Sequence, residues 1–529
     1  MVERRLGALP ACAEFLRRLD VAGIIDELCP IRDIADLTHG QVVEAMVANR
    51  LSAPAPLFRV DDWARQWAVE EVFGINPDLL NDDRLARTLD AIAPQLEAIV
   101  GSVGTQAIGE FGIDVARCHW DMTSMSLHGA FEDQDEAFPQ VKYGHPKDRR
   151  VDLKQIQAGL AVTGDGGIPV FHRVYDGGAG EVAQVVGAMN ALRKMAGRKD
   201  FLLVADSKLV SYPNITALLD ARVSFLGPIP AAKIPDAFYA SLELADAQVV
   251  DYTPVREEGK AAAERGVYRV LEDTYALAGP RKRDPVHSLR RILVHSSGNA
   301  AGQQAARAKR LARAREELEK VERGAGGRYY KTAEKIAARA GVIAKSRRVA
   351  SCLVTKIGLD EAGKPTLAWH FDQQVLDAEA AADGWYALLT NLPPEIDAAE
   401  VLRRYKGQGL VERRYGEFKG PLAVTPMFLK NNDRIAALLT VICLALLVYC
   451  LIERQVRQAL GPEQSMRGLY PDNRAVRPTG RLIFYHLATL TLRPGTLTEP
   501  PAILVSRGIQ ARLLELLGID ETRPRWLGT

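Results

Sequence analysis

Residues 114–127, DVARCHWDMTSMSL, decide how this chain is read. They predict a strand whose middle carries Asp121 between two apolar neighbours, Trp120 and Met122. An ionised carboxylate among apolar strand residues is costly unless it is paired or bound to a cation. Downstream, DLKQIQAGLAVTGDGG (152–167) and IPVFHRVYDGGAG (168–180) read as two strands joined by a turn at Asp165-Gly166-Gly167, a hairpin signal. EVAQVVGAMNALRKMAG (181–197) reads as a helix closed by Gly197,. DFLLVADSKLVS (200–211) contains a short apolar strand that ends at Asp206. Strand, hairpin, helix and buried strand together predict an α/β fold. Taken singly, Asp121 and Asp206 each also fit a strand-end turn cap. At the carboxyl end of a sheet strand, such residues commonly face a site.

A second stretch, YKGQGLVERRYGEFKGPL (405–422), supplies a third acid. Tyr405, Glu412 and Lys419 are spaced by seven, and Gln408 precedes Glu412 by four. On one continuous helix all four share a face, and that face holds no leucine or valine. IAALLTVICLALLVYCLI (435–452) follows, without a charge. Its length is at the threshold for a membrane span, about 18 residues. A single such segment directly behind a polar helix is expected to be a buried core helix.

Three carboxylates converging on one point repel one another unless a divalent cation joins them. With Mg²⁺ they become oxygen ligands. Two such ions would activate a nucleophile and stabilise the leaving oxygen of an in-line phosphoryl transfer. Lys419, Tyr405 and Gln408 would hold DNA phosphates beside that centre.

The 529 residues suggest about two to four domains. Lys and Arg (68) nearly balance Asp and Glu (66), so any DNA surface must come from local clustering. The six cysteines form no C-x-x-C pair, which fits reduced thiols in a cytoplasmic protein. The opening MVERRLGALPACAEFLRRL has charges on both sides of its apolar run and does not read as a signal peptide. Residues 1–110 read as a helical domain, with caps at Thr38 and Asn81,. Residues 226–395 read as an inserted α+β subdomain. Within it, 307–348 carries 14 Lys and Arg against 5 Glu; it is either a solvated helical hairpin or a phosphate-tracking arm. The region from 461 to 529 reads as basic and helical. Glu417 and Glu453 are expected to be solvated, Asp148 and Asp152 salt-bridged at the surface, and His119 packed. His145 is a candidate DNA contact.

Asp121 in HWDMTS, Asp206 in LLVADSKL and the Tyr405–Glu412–Lys419 spacing together resemble the DDE transposases of bacterial insertion sequences. The similarity is to the superfamily whose third acid sits in a Tyr-x2-Arg-x3-Glu-x6-Lys signature. YGHPKDRRVDLKQIQAGLAV, after the first Asp, and the apolar helix after the Glu also resemble that family, so the likeness spans about 115–455. The resemblance implies an RNase H-like core (111–225 and 396–460) with the 226–395 subdomain inserted between the second Asp and the Glu. It implies a Mg²⁺-dependent enzyme, with Mn²⁺ as a substitute, that cuts transposon ends and joins them to target double-stranded DNA. The enzyme would work as a homodimer or higher multimer on paired ends. Asp121, Asp206 and Glu412 would hold two metal ions, and Tyr405 and Lys419 would contact the end. The departure is Gln408, in the arginine slot. A neutral amide lacks both the charge and the bidentate fork of arginine; Arg403, Arg404 or Lys406 are the substitutes in reach. The alternatives are an RNase H-like nuclease without strand transfer and an inactive DNA-binding derivative.

Overall fold

Strand Arg117–Leu127 (β1) forms as expected and lies inside a mixed sheet, third from its edge. It pairs antiparallel with Lys154–Thr163 (β2), which pairs antiparallel with Pro169–Tyr175 (β3). On its other side β1 pairs parallel with Leu202–Ala205 (β4). The crossover to β4 runs through the helix Glu181–Ala196, which ends at Gly197 with φ +65°. The computed structural model describes residues 3–31, 35–197, 200–254, 257–493, 502–505 and 508–520. The chain divides into two compact units, Met1–Phe225 with Gly407–Thr529, and Leu226–Lys406.

In the first unit the β2–β3 hairpin turns at Asp165-Gly166-Gly167. Gly166 and Gly167 take φ +77° and +66°, a region that costs glycine little. Both expected helix caps form. Thr38 and Gln41 make a reciprocal capping box at the start of His39–Ser52, and Asn81 accepts from Arg84 N at the start of Asp82–Ile92,. The apolar segment is the helix Asn432–Ala459, and its most apolar window is wholly buried. By length and composition alone it could cross a membrane. It packs instead against β3 and the helices Leu9–Arg18, His39–Ser52 and Asp82–Ile92, as a helix apolar on every face must. The C-terminal region is only partly helical. Gly480–Leu487 and Gly508–Leu516 are helices, while Thr491–Arg493 is a strand paired with Arg4–Arg5 and Ala502–Leu504.

Two acids depart from expectation. Glu453 is 1% exposed, and Glu417 is largely covered. Both belong to a charge cluster around Arg414, itself 1% exposed. Arg414 Nη1 donates to Glu417 Oε2 (2.6 Å) and Nη2 to Glu453 Oε1 (2.9 Å). Arg457 lies 2.7 Å from the same Glu453 oxygen, and Gly480 N donates to the other (2.7 Å). Burial alone would raise the Glu453 pKa, but Arg414 and Arg457 outweigh it and hold it below the usual range. The glutamates looked solvated because their partners are distant in sequence or a helical turn away.

In the second unit the sheet is antiparallel. Trp385–Thr390 pairs with Leu226–Pro228 on one side and with His287–Ser296 on the other. Tyr268–Leu277 and Gln248–Val250 continue outward. The basic segment forms a helical hairpin, Ser297–Arg323 and Ala333–Ser346, seated on the strand pair Leu353–Leu359 and Pro365–Phe371.

Glu453→Gln leaves two buried guanidinium groups short of charge and should cost about 3–5 kcal/mol of stability in urea denaturation. A carboxylate held low stabilises above its unfolded pKa and loses that effect as pH falls through its folded pKa. The gap between variant and parent should therefore be full at pH 7 and shrink below about pH 4.3. An unchanged midpoint at pH 7 would contradict the cluster's role.

Candidate active site

The register of β1 and β4 brings the two aspartates together. The parallel ladder pairs Trp120 with Ala205, so Asp121 and Asp206 are the next residues on adjacent strands, at the carboxyl end of β4. Their proximity is electrostatic as well, since the charge on Asp206 raises the Asp121 pKa. Burial is the largest cause, however, and it pushes Asp121 up to about 6 against the pull of Lys147. Asp206 also fills the turn-capping role its position allowed, its Oδ1 accepting from Lys208 N (3.0 Å). That uses only part of a carboxylate's accepting capacity.

A cation already stands on Asp121. Lys147 Nζ lies 3.3 and 3.5 Å from the two carboxylate oxygens and also donates to Met122 O. Glu181 Oε1 is 3.9 Å from the same ammonium. The loop is fixed there by Lys147 N donating to Ser124 Oγ (2.9 Å). In the sequence this lysine, within YGHPKD, carries no sign of a role beyond its place between His145 and Asp148. That loop returns to the first aspartate.

The helix Gly409–Lys419 lies across β1 and β2. Its buried residues Val411, Arg414, Tyr415 and Phe418 face the sheet and core. A stripe spaced four, three and four, Gln408, Glu412, Tyr415 and Lys419, runs beside β1. Gln408 Nε2 donates to Trp120 O (3.0 Å), Tyr415 OH to Asp121 O (2.7 Å), and Lys419 Nζ to Ser124 O (2.8 Å). Glu412 occupies the remaining place on that stripe and is exposed. As the side chains stand, no three His, Cys, Asp or Glu among the described residues form a metal-holding group. Asp121 and Asp206 adjoin and suit an oxygen-seeking cation, while Glu412 stands exposed on the helix, outside any such group as the side chains stand.

The expected single helix carrying Tyr405 together with Glu412 does not form. A turn at Gly407-Gln408 ends the helix Ala398–Lys406 before Gly409 starts the next. Glycine on both sides of Gln408 weakens the helix there. Tyr405 thus belongs to the second unit, where its ring stands 6.4 Å from that of Tyr386. The three candidate substitutes for the missing arginine are engaged in that unit too. Arg403 and Arg404 pair with Glu400, and Lys406 lies over the rings of Tyr268 and Tyr386.

Gln408 bonds β1 and its histidine. Besides its bond to Trp120 O, its Oε1 lies 3.3 Å from His119 Nδ1. His119 is fully buried, and burial drives its pKa down to about 4, so it is packed and neutral at pH 7. Asp152 pairs with Arg150 at the surface. Asp148 has no salt bridge among the described residues; it accepts from Ser126 Oγ and Arg150 N, with the Lys419 charge also acting on it. His145 is exposed on the Lys147 loop.

Residues 2–98 match a family described as "Domain of unknown function (DUF4277)". No curated protein matches the chain. Among solved structures, one similar chain comes from the cryo-EM piggyBac transposase synaptic complex with hairpin DNA. The identity is 10%, the alignment covers 90% of this chain and 80% of that chain, and the TM-score is 0.37. A likeness this distant has no weight for function.

The raised Asp121 pKa gives a prediction with a definite sign. Its charged form is disfavoured in the folded state, so stability in the metal-free protein should rise as pH falls through 6,. Asp121→Asn should therefore unfold later than the parent at pH 7, by no more than about 3 kcal/mol. The difference should shrink toward pH 4, read by thermal melts in EDTA. A variant less stable than the parent at pH 7 would show that the Lys147 pair outweighs the burial cost.

Proposed function

We propose that the chain is a DNA transposase of the DDE kind, with an RNase H-like core built on β1 to β4. The observation that carries this reading is the in-register pair Asp121 and Asp206 on adjacent parallel strands, flanked by the stripe that holds Glu412. The sheet supports the fold reading: an antiparallel three-strand meander whose first strand then pairs parallel with a strand returning through a helix. Asp121, Asp206 and Glu412 would hold two Mg²⁺ ions, or Mn²⁺ in their place. When bound, these supply charge stabilisation and nucleophile activation for phosphoryl transfer.

The chain's own groups have separable tasks. Asp121 needs a counter-charge because it is buried, and Lys147 supplies one in the free protein. Asp121 and Asp206 would hold the divalent charge, and Lys147, now on Asp121 and Met122 O, is the cation in this loop placed to meet a DNA phosphate,. Lys419 lies on the same side of β1, tethered at Ser124 O, and is the second phosphate contact in this unit. Gln408 holds the strand carbonyl that precedes Asp121, so its role is positioning. The substrate is double-stranded DNA with terminal repeats, the working form a homodimer or larger, and the place of action the bacterial cytoplasm.

Asp121→Asn, Asp206→Asn and Glu412→Gln should each lower Mg²⁺-dependent strand cleavage by about 10²–10³-fold or more, while binding to the ends persists in a gel-shift assay. The substrate is oligonucleotides carrying the inverted repeats expected to bracket the reading frame. Pre-cut ends with target plasmid separate the alternatives. Joined products require a transposase, and cleavage without joining would leave a nuclease. Wild-type rates in any of the three variants would defeat the reading.

A further inference from the structure

The helical hairpin of the second unit is a rigid arm with an unusual tip. Its helices, Ser297–Arg323 and Ala333–Ser346, are joined by their own small core. Ala314, Leu318 and Val321 face Ile336, Ala340 and Ile343, with Leu367 of the adjoining strand pair beneath. The first helix alone is about 40 Å long, at 1.5 Å per residue. The connecting loop is ordered by backbone bonds: Gly326 N donates to Tyr330 O (3.0 Å) and Tyr330 N to Gly327 O (3.2 Å). Tyr330 packs against this core. Its neighbour Tyr329 does not, and is 77% exposed.

Charge is distributed unevenly on this arm. Glu316 pairs with Lys320, Glu317 with Arg339 and Arg347, and Glu322 accepts from Trp369 Nε1. Glu334 bonds back to Thr332. Most of the acids are thus used within the arm or its seat. Around the tip, Arg323, Arg328, Lys331 and Lys335 are exposed, with no carboxylate in salt-bridge reach among the described residues. The Arg328 guanidinium stands 5.8 Å from the Tyr329 ring centroid. Lys364 adds a further cation, its stem against Gly326, where a Cβ would stand 3.0 Å from Lys364 Cβ.

We propose that this arm binds DNA that carries unpaired bases, with Tyr329 as the stacking platform and Arg323, Arg328, Lys331 and Lys335 on the flanking phosphates. An aromatic ring interleaved with cations binds single strands with little regard to sequence, because every base has a π-face. The ring sits at a convex tip, where stacking inside an intact duplex would first require unstacking a base step. An unpaired base offers its face without that cost. Cleaved or distorted DNA ends would present such bases. The choice of DNA rests on the function proposed above; the stacking geometry does not.

The test is fluorescence anisotropy of the full chain in EDTA, with a fluorescein-labelled oligonucleotide either single-stranded or annealed to its complement. Tyr329→Ala should weaken single-strand binding about tenfold and leave duplex binding nearly unchanged, while Tyr329→Phe should keep the parent affinity. The double variant Arg328→Ala, Lys331→Ala should weaken both probes and flatten the salt dependence on single strands by about 1.4 log units per log unit of salt. Single-strand binding by Tyr329→Ala at parent affinity, or an equal loss on both probes, would overturn the proposal. No metal-dependent step runs in EDTA, so this result is independent of whether Asp121, Asp206 and Glu412 cut DNA.

Discussion

The first unit depends on one buried guanidinium. Arg414 donates from Nε to Gly167 O (2.8 Å) and from Nη2 to Gly166 O (2.6 Å), while also pairing with Glu417 and Glu453. It therefore joins the glutamate helix to the β2–β3 turn and to the long apolar helix. Desolvating such a charge costs several kcal/mol, and only a nearly complete set of partners offsets that. Arginine suits the place because its rigid fork meets carbonyls and carboxylates at once, which lysine cannot do. The turn in turn requires glycine: a Cβ on Gly167 would lie 3.3 Å from Arg414 Nε, at a backbone φ that side chains rarely adopt. A second arginine, Arg454, ties Asp165 of the same turn to the apolar helix (2.5 Å).

With that helix fixed, the stripe beside β1 follows. Gln408, Tyr415 and Lys419 each bond a main-chain oxygen of β1, at Trp120, Asp121 and Ser124. The strand carrying Asp121 is thus held through its main chain, while the Asp121 carboxylate meets Lys147. Stability and chemistry conflict at this point. A buried carboxylate beside another carboxylate opposes folding, and the Lys147 ammonium relieves only part of that opposition. Local strain of this kind is common where a site awaits a ligand.

Much of this was legible in the sequence where the cause is local. Apolar runs of the right length, a Gly-Gly turn, caps at Thr38 and Asn81 and a strand ending at Asp206 are all decided within a few residues. The burial of the Ile435–Ile452 run was legible as well, because a segment apolar on all sides has nowhere else to go. What stayed hidden depends on distance along the chain. Glu453 looks like any charged helix residue until Arg414, 39 positions away, is placed beside it. Lys147 reads as one more cation in KDRR until the loop folds back onto Asp121. The strands Tyr268–Leu277 and His287–Ser296 escaped notice because their outward residues are charged and their pairing, not their composition, makes them strands.

The helix break at Gly407-Gln408 is the most informative difference, because it reassigns a motif by function. A seven-residue spacing reads as one face only if the helix is continuous. Here the first residue of the motif, Tyr405, belongs to one compact unit and the last two, Glu412 and Lys419, to the other. A turn flanked by glycines at that junction lets the two halves of the motif be set by different cores. The amide at 408 then has a structural reason. Placed just before the first turn of the glutamate helix, it bonds both a carbonyl of β1 and a buried neutral histidine. A guanidinium there could donate to the carbonyl but has no acceptor to offer a His119 Nδ1 that carries the proton. Glutamine in the arginine slot thus has a local structural task, joining the carbonyl before Asp121 to the ring of His119.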